Sequence, residues 1–198
     1  PLAMCLALLL GAALGYNLYI SRLGSPDAVF QAYDVTWHLD LIQAMSESGK
    51  LSSLGASPYL TAPDAAIAPA NYSMFYPAAW HVLCAIVRSL AGTSTTIAIN
   101  ASMFVLPCLA FPLGVVAFIA VLFPEGKKHQ IVAGALSLAF VAFPWNLMAF
   151  GPVYANVAGF ALLPVVWALF IHLLSDEASV SARVRTGVTI LVCCIGLA

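Results

Sequence analysis

"IAINASMFVLPCLAFPLGVVAFIAVLF", residues 97–123, runs for 27 residues without an Asp, Glu, Lys or Arg. About 20 predominantly apolar residues carry an α-helix across the roughly 30 Å hydrocarbon core of a bilayer. The stretch therefore reads as a transmembrane helix, interrupted at Pro107 and Pro112, where kinks or helix ends are expected. Working outward, comparable apolar runs lie at 2–20, 76–92, 131–150 and 155–174, and a truncated one begins at 185. The expected fold is all-α: a polytopic transmembrane helical bundle with a long, partly helical loop between its first two hydrophobic segments.

Composition agrees. The chain is 63% hydrophobic and 8% charged, with seven basic residues against eight acidic ones, a balance foreign to a soluble domain. The basic residues are scattered through connections and form no stripe, so no nucleic acid partner is expected. The opening "PLAMCLALLLGAALGYNLYI" lacks a basic leader and is too long for a signal peptide's apolar region, which favours a first transmembrane helix. Because the chain starts at Pro1 and its final run stops partway through a span, residues 1–198 are read as the amino-terminal fragment of one transmembrane domain. Cys5, Cys84, Cys108, Cys193 and Cys194 all fall inside apolar runs, where small buried packing residues are expected in place of disulfides.

Most connections are short. The exception is the polar loop 21–75, rich in Ser, Pro, Asp and Asn, and long loops of this kind are where function concentrates. In "FPWNLMAFGPVYANVAGF", Trp145, Asn146, Tyr154 and Asn156 read as an interfacial connection. Orientation has two branches. If every run crosses, the long loop shares a face with Lys127, Lys128, Arg183 and Arg185, and the positive-inside rule puts it in the cytoplasm. If the short run 76–92 is re-entrant or interfacial, the loop and the lysine pair lie on opposite faces.

Within the loop, "SPDAVFQAYDVTWHLDLIQAMSESGK" (25–50) begins with an N-cap serine, a first-turn proline and an acid, and Gly49 is a natural stop, predicting a helix from about 26 to 48. On that helix Asp27, Gln31, Asp34 and His38 form one polar stripe, while Asp40, Gln43 and Glu47 form a water-facing line. Asp34 and His38, at i and i+4, suit proton sharing or presentation of a carboxylate and an imidazole to a divalent metal. The same spacing also fits a plain structural pair. Tyr33 and Trp37 flank it, able to stack on a sugar or a headgroup or to serve as belt residues. Downstream, "PANYSMFYPAAWH" (69–81) sets Asn71, Tyr72, Tyr76, Trp80 and His81 where the chain re-enters the membrane. An ionisable residue as deep as His81 is usually paired or functional, and it reaches the Asp34 and His38 cluster if the two segments fold together.

A first span, a long loop with an acidic helix, then "FYPAAWHVLCAIVRSLAG" leading into further spans resembles the amino-terminal part of the GT-C superfamily of polytopic glycosyltransferases. More narrowly, "SPDAVFQAYDVTWHLDLIQAMSESGKLSSL" with "YPAAWH" is similar to a group of actinobacterial multi-span membrane proteins. The resemblance covers residues 1 to about 125. It implies a multi-pass protein of the bacterial plasma membrane that transfers sugar from a polyprenyl-phosphate-linked donor to a cell-envelope glycan or glycoprotein. It also implies that the long loop faces away from the cytoplasm and that Asp34 is the general base, with Asp27 as rival. His38 would orient the carboxylate or bind phosphate, and Tyr33, Trp37, Tyr76, Trp80 and His81 would contact substrate. Two other classes remain open on the residues alone: a transporter or flippase of envelope precursors, in which the polar stripe is a gate or proton relay, and a non-catalytic membrane scaffold.

Overall fold

A computed structural model describes residues 1–32, 34–58, 75–149, 152–175 and 179–197. Among them there are four helices long and apolar enough to cross a membrane: α1 (Leu2–Leu23), α4 (Thr95–Leu122), α5 (Lys127–Ala149) and α6 (Tyr154–Leu174). Two shorter helices, α2 (Val35–Ser48) and α3 (Ala79–Ala91), fall between α1 and α4, and α7 (Val180–Leu197) closes the chain. The protein is an all-α membrane bundle, as its apolar runs predict.

α1 runs antiparallel to α4. At one end the Tyr19 hydroxyl donates to Asn100 Oδ1 at 2.9 Å. Midway, Gly11 and Gly15 lie directly on Cys108, and a β-carbon at Gly11 would run into the Cys108 carbonyl oxygen. At the other end Ala3 and Ala7 pack with Val116, and Gly134 of α5 closes on the same group. Small residues let the two backbones approach, the usual device where lipid supplies no hydrophobic drive between helices. Pro107 and Pro112 do not end α4. The turn at Leu106–Ala110 widens to a π-helical one, which accommodates the missing N–H of Pro107. α5 is less regular: it breaks after Leu136, and Phe143, just before Pro144, has extended backbone angles (φ −133°, ψ 132°).

The run 76–92 forms no helix long enough to be counted among the crossings. α3 has 13 residues, about 20 Å at 1.5 Å per residue, against a core of roughly 30 Å. It stops at Gly92, whose φ of 60° reverses the chain. Ser94 then caps α4 by accepting from the Ile97 N–H at 3.2 Å. With the four long helices taken as the crossings, the described residues between α1 and α4 and the start of α6 share one face of the bundle, and Lys127, Lys128, Arg183 and Arg185 fall on the other. That arrangement corresponds to the second branch of the orientation argument. α4 has 28 residues, about 42 Å, roughly 12 Å more than a core of average thickness, and its first three turns are Thr95–Val105. α2 and α3 pack against those turns.

The predicted helix 26–48 is shorter than its local signals imply. α2 begins at Val35, and the described residues Gly24 to Ala32, with Asp34, form no α-helix. Tertiary hydrogen bonds override the propensity: the Asn100 amide donates to the carbonyls of Pro26 (2.8 Å) and Ala28 (2.7 Å), and Asp27 accepts from Ser94 and Thr96. Those carbonyls are engaged by Asn100, and Asp27 serves the start of α4 instead of its own segment.

Gly11→Val should lower stability by about 1–3 kcal/mol or more through overpacking on α4, whereas Gly187→Ala, on α7 with nothing within 4 Å of a built β-carbon, should stay within about 0.5 kcal/mol of the parent. Thermal unfolding of both variants in one detergent checks the contrast.

Candidate functional site

α2 and α3 lie side by side and parallel, in a register offset by 43 residues: His38 meets His81, and Ser46 meets Ser89. The pairing is held at its far end by Arg88, which donates to Ser46 at 2.7 Å and lies 3.7 Å from Glu47, itself bonded to Gln43. At the near end Ser53 fixes the approach to α3. Its carbonyl accepts from Tyr76 N–H (2.9 Å) and its hydroxyl from Ala78 N–H (3.2 Å). Both histidines thus sit in the first turn of their helices.

His38 Nδ1 lies 2.8 Å from His81 Nε2. His38 is 6% exposed and His81 0%. Four aromatic rings enclose the pair. Trp37 and Tyr76 stand on the more open side with centroids 4.4 Å apart; Trp80 and Tyr154, stacked at 5.4 Å, form the inner wall. Trp80 is anchored from α4, its indole N–H donating to Ser102 Oγ at 3.0 Å while Ser102 donates to Ile99 O at 2.7 Å. Two polar atoms in the cage, His81 Nδ1 and the Tyr154 hydroxyl, are buried without a partner among the described residues.

Burial pushes both imidazoles below the ordinary histidine range. For His38 the nearby Asp34 carboxylate partly opposes that effect, and for His81 the adjacent His38 adds to it. Both rings are neutral at neutral pH. Burial also raises the Tyr76 phenol, assisted by Asp34.

The sequence-predicted residues separate into three groups. His38, His81, Trp37, Tyr76 and Trp80 come together. Asp34 stands at the mouth, exposed at the N-cap of α2; its carbonyl accepts from the His38 backbone N–H at 3.2 Å, but among the described residues its carboxylate makes no hydrogen bond to the His38 ring, whose Nδ1 is taken by His81. The expected Asp34–His38 pair is therefore an electrostatic neighbourhood, not a bonded dyad, because the partner in reach was the imidazole of the parallel helix. Asp27 lies away from the cage, at the start of α4, and shares no helical stripe with Asp34. Tyr33, Asn71 and Tyr72 lie outside the described residues. Tyr154 and Ser102 are members that sequence reasoning missed: Tyr154 reads as an interfacial aromatic but is fully buried, and nothing marks Ser102 among apolar neighbours. Among the described residues no group of three or more His, Cys, Asp or Glu is assembled to hold a metal, so Asp34 and His38 supply at most part of a ligand set.

These features define a polytopic membrane protein with a buried histidine pair capping one end of its bundle. The chain matches over residues 1–198 the model of a family described as Family of unknown function (DUF6541), and it belongs to that family. No curated protein and no solved structure matches it.

Because both histidines are held below their unfolded pKa of about 6.5, the unfolded chain binds more protons as the pH falls through that value. Stability is fully present above it and declines below it. Melting in nanodiscs should fall on acidification below about pH 6.5, and a His38→Gln, His81→Gln double variant should flatten that dependence.

Proposed function

We propose that the protein is a membrane glycosyltransferase that uses a polyprenyl-phosphate-linked sugar for assembly of a cell-envelope glycan or glycoprotein in a bacterial plasma membrane. The observation that carries this reading is the shortness of α2 and α3, neither of which is long enough to be counted among the crossings. With only the four long helices as crossings, Asp34 would lie on the face opposite Lys127, Lys128, Arg183 and Arg185, and the positive-inside rule then favours an external site. Lipid-linked sugars are used at such a face in the superfamily that residues 1–125 resemble.

On this reading Asp34, exposed at the mouth, takes the proton of the acceptor hydroxyl as that oxygen attacks the anomeric carbon. The half-buried Trp37 and Tyr76 beside it offer a face on which a sugar ring can stack. The buried imidazole pair also favours a second reading, a proton relay in a transporter of envelope precursors.

Two measurements test the proposal. In a cysteine-depleted protein carrying Ser52→Cys, a membrane-impermeant thiol reagent should label intact cells; labelling only after lysis would sink the external site. In proteoliposomes supplied with a polyprenyl-phosphate-linked sugar, Asp34→Asn should lower transfer by about 10²–10⁴-fold while leaving melting unchanged. Undiminished transfer by Asp34→Asn would remove the assigned base, and substrate movement without transfer would favour the transport reading.

A further inference from the structure

A hydrogen bond between two neutral imidazoles needs one N–H and one lone pair, so His38 and His81 have two tautomeric arrangements. In the first, His38 Nδ1–H donates to His81 Nε2, and His81 carries its own proton on Nδ1. In the second, His81 Nε2–H donates to His38 Nδ1, leaving His81 Nδ1 a bare lone pair and His38 with its proton on Nε2. The burial of His81 decides between them. It is 0% exposed, and its Nδ1 has no partner among the described residues. Orphaned N–H groups are rarer in protein interiors than unused acceptors, and the stranded donor forfeits its hydration. The second arrangement avoids a stranded N–H.

We infer that His81 is a positioning residue that locks His38 as an Nε2–H donor, on the ring edge remote from His81, to bind an anionic phosphate oxygen. This rests on the transferase reading and names what the pair adds to it. His38 is the less buried member and the fourth residue of α2, and His81 is the third of α3. The positive ends of two parallel helices therefore coincide at the pair and favour negative charge there. The other ionisable groups facing it are Asp34 at the start of α2, Tyr76 before α3, Cys84 one turn along α3 and Tyr154 at the start of α6; α4 contributes the Ser102 hydroxyl. In the reaction the acceptor oxygen bonds to the anomeric carbon and its proton passes to Asp34. The bond from that carbon to the donor phosphate breaks, and its electron pair leaves on the phosphate oxygen. His38 keeps its proton and stabilises that developing charge.

Solid-state nitrogen NMR of the full chain, labelled at histidine and held in bilayers, reads the tautomers directly, with His38→Gln and His81→Gln variants assigning the signals. Both histidines should carry their proton on Nε2, and decaprenyl phosphate in the bilayer should shift the His38 Nε2 signal. A protonated Nδ1 on either ring, or no shift with decaprenyl phosphate, overturns the inference. In the transfer assay His81→Phe should lower kcat by about 10–100-fold with the donor KM within about threefold. His81→Gln, whose amide can donate to His38 Nδ1, should recover at least about tenfold of that loss. Equal rates for the two variants, or full activity in His81→Phe, would also overturn it. Should the parent protein transfer no sugar from the supplied donor, the transferase reading fails while the tautomer measurement still decides the pair.

Discussion

The side chain of Asn100 ties together the parts of the molecule on which everything else rests. It accepts from Tyr19 at the end of α1 and donates to two backbone carbonyls of the link that follows. One residue thereby joins α4 to α1, halts the helix that "SPDAVFQAY" would otherwise begin, and delays α2 until Val35. Asn100 is 4% exposed in an apolar helix, and a buried amide persists there because its donors and acceptor are engaged. Without that delay His38 would sit in the fourth turn of a longer helix instead of in the first turn of a short one. Its meeting with His81, also in a first turn, follows from where Asn100 stops the chain.

Helix length governs the rest. A bilayer accepts a helix that satisfies its own backbone, but only one of sufficient length reaches the other side. α3 is apolar enough to look like a span and too short to be one, and it lies beside the first turns of α4 with α2 as its parallel partner. Gly92, in the left-handed conformation, ends α3 and so sets its length. The aromatic cage then forms between this cap and the start of α6, where Tyr154 closes the inner wall.

Much of the architecture is legible in the sequence because crossing a membrane leaves a strong compositional trace. The long uncharged runs at 2–20, 97–123 and 155–174 became helices with little change at their boundaries. Gly49 ends α2 where its position implies. The failures share one cause, side chains acting over long sequence separations. Nothing in residues 25–34 announces that Asn100 will draw off Pro26 and Ala28, so helical periodicity wrongly aligned Asp27 with His38. Trp37, His38, Tyr76, Trp80 and His81 stand out as polar and aromatic residues at a membrane boundary, and the fold does gather them. Their geometry was hidden, because the offset of 43 residues between α2 and α3 depends on the return of the chain through Ser53. Tyr154 was misread for a related reason: an aromatic next to a loop suggests a headgroup belt until another helix is known to cover it.

A buried neutral histidine pair is an expensive way to pack two helices, since a pair of aliphatic side chains of similar volume would bury no polar atom. Half of that demand is met inside the pair by the 2.8 Å hydrogen bond. The remaining two ring nitrogens are treated differently by the fold: His81 Nδ1 is buried without a partner among the described residues, on a ring packed by Trp37, Tyr76 and Trp80, whereas the other belongs to the less buried His38 ring, packed by Trp37, Trp80 and Tyr154. That asymmetry is what separates the pair from a packing device. A purely structural pair gains nothing from leaving one member partly open, whereas a pair that must meet a polar group needs a closed side to fix its tautomer and an open side to use it. Asp34 stands on the open side, and the short helices that carry the imidazoles hold that side at the surface of the bilayer.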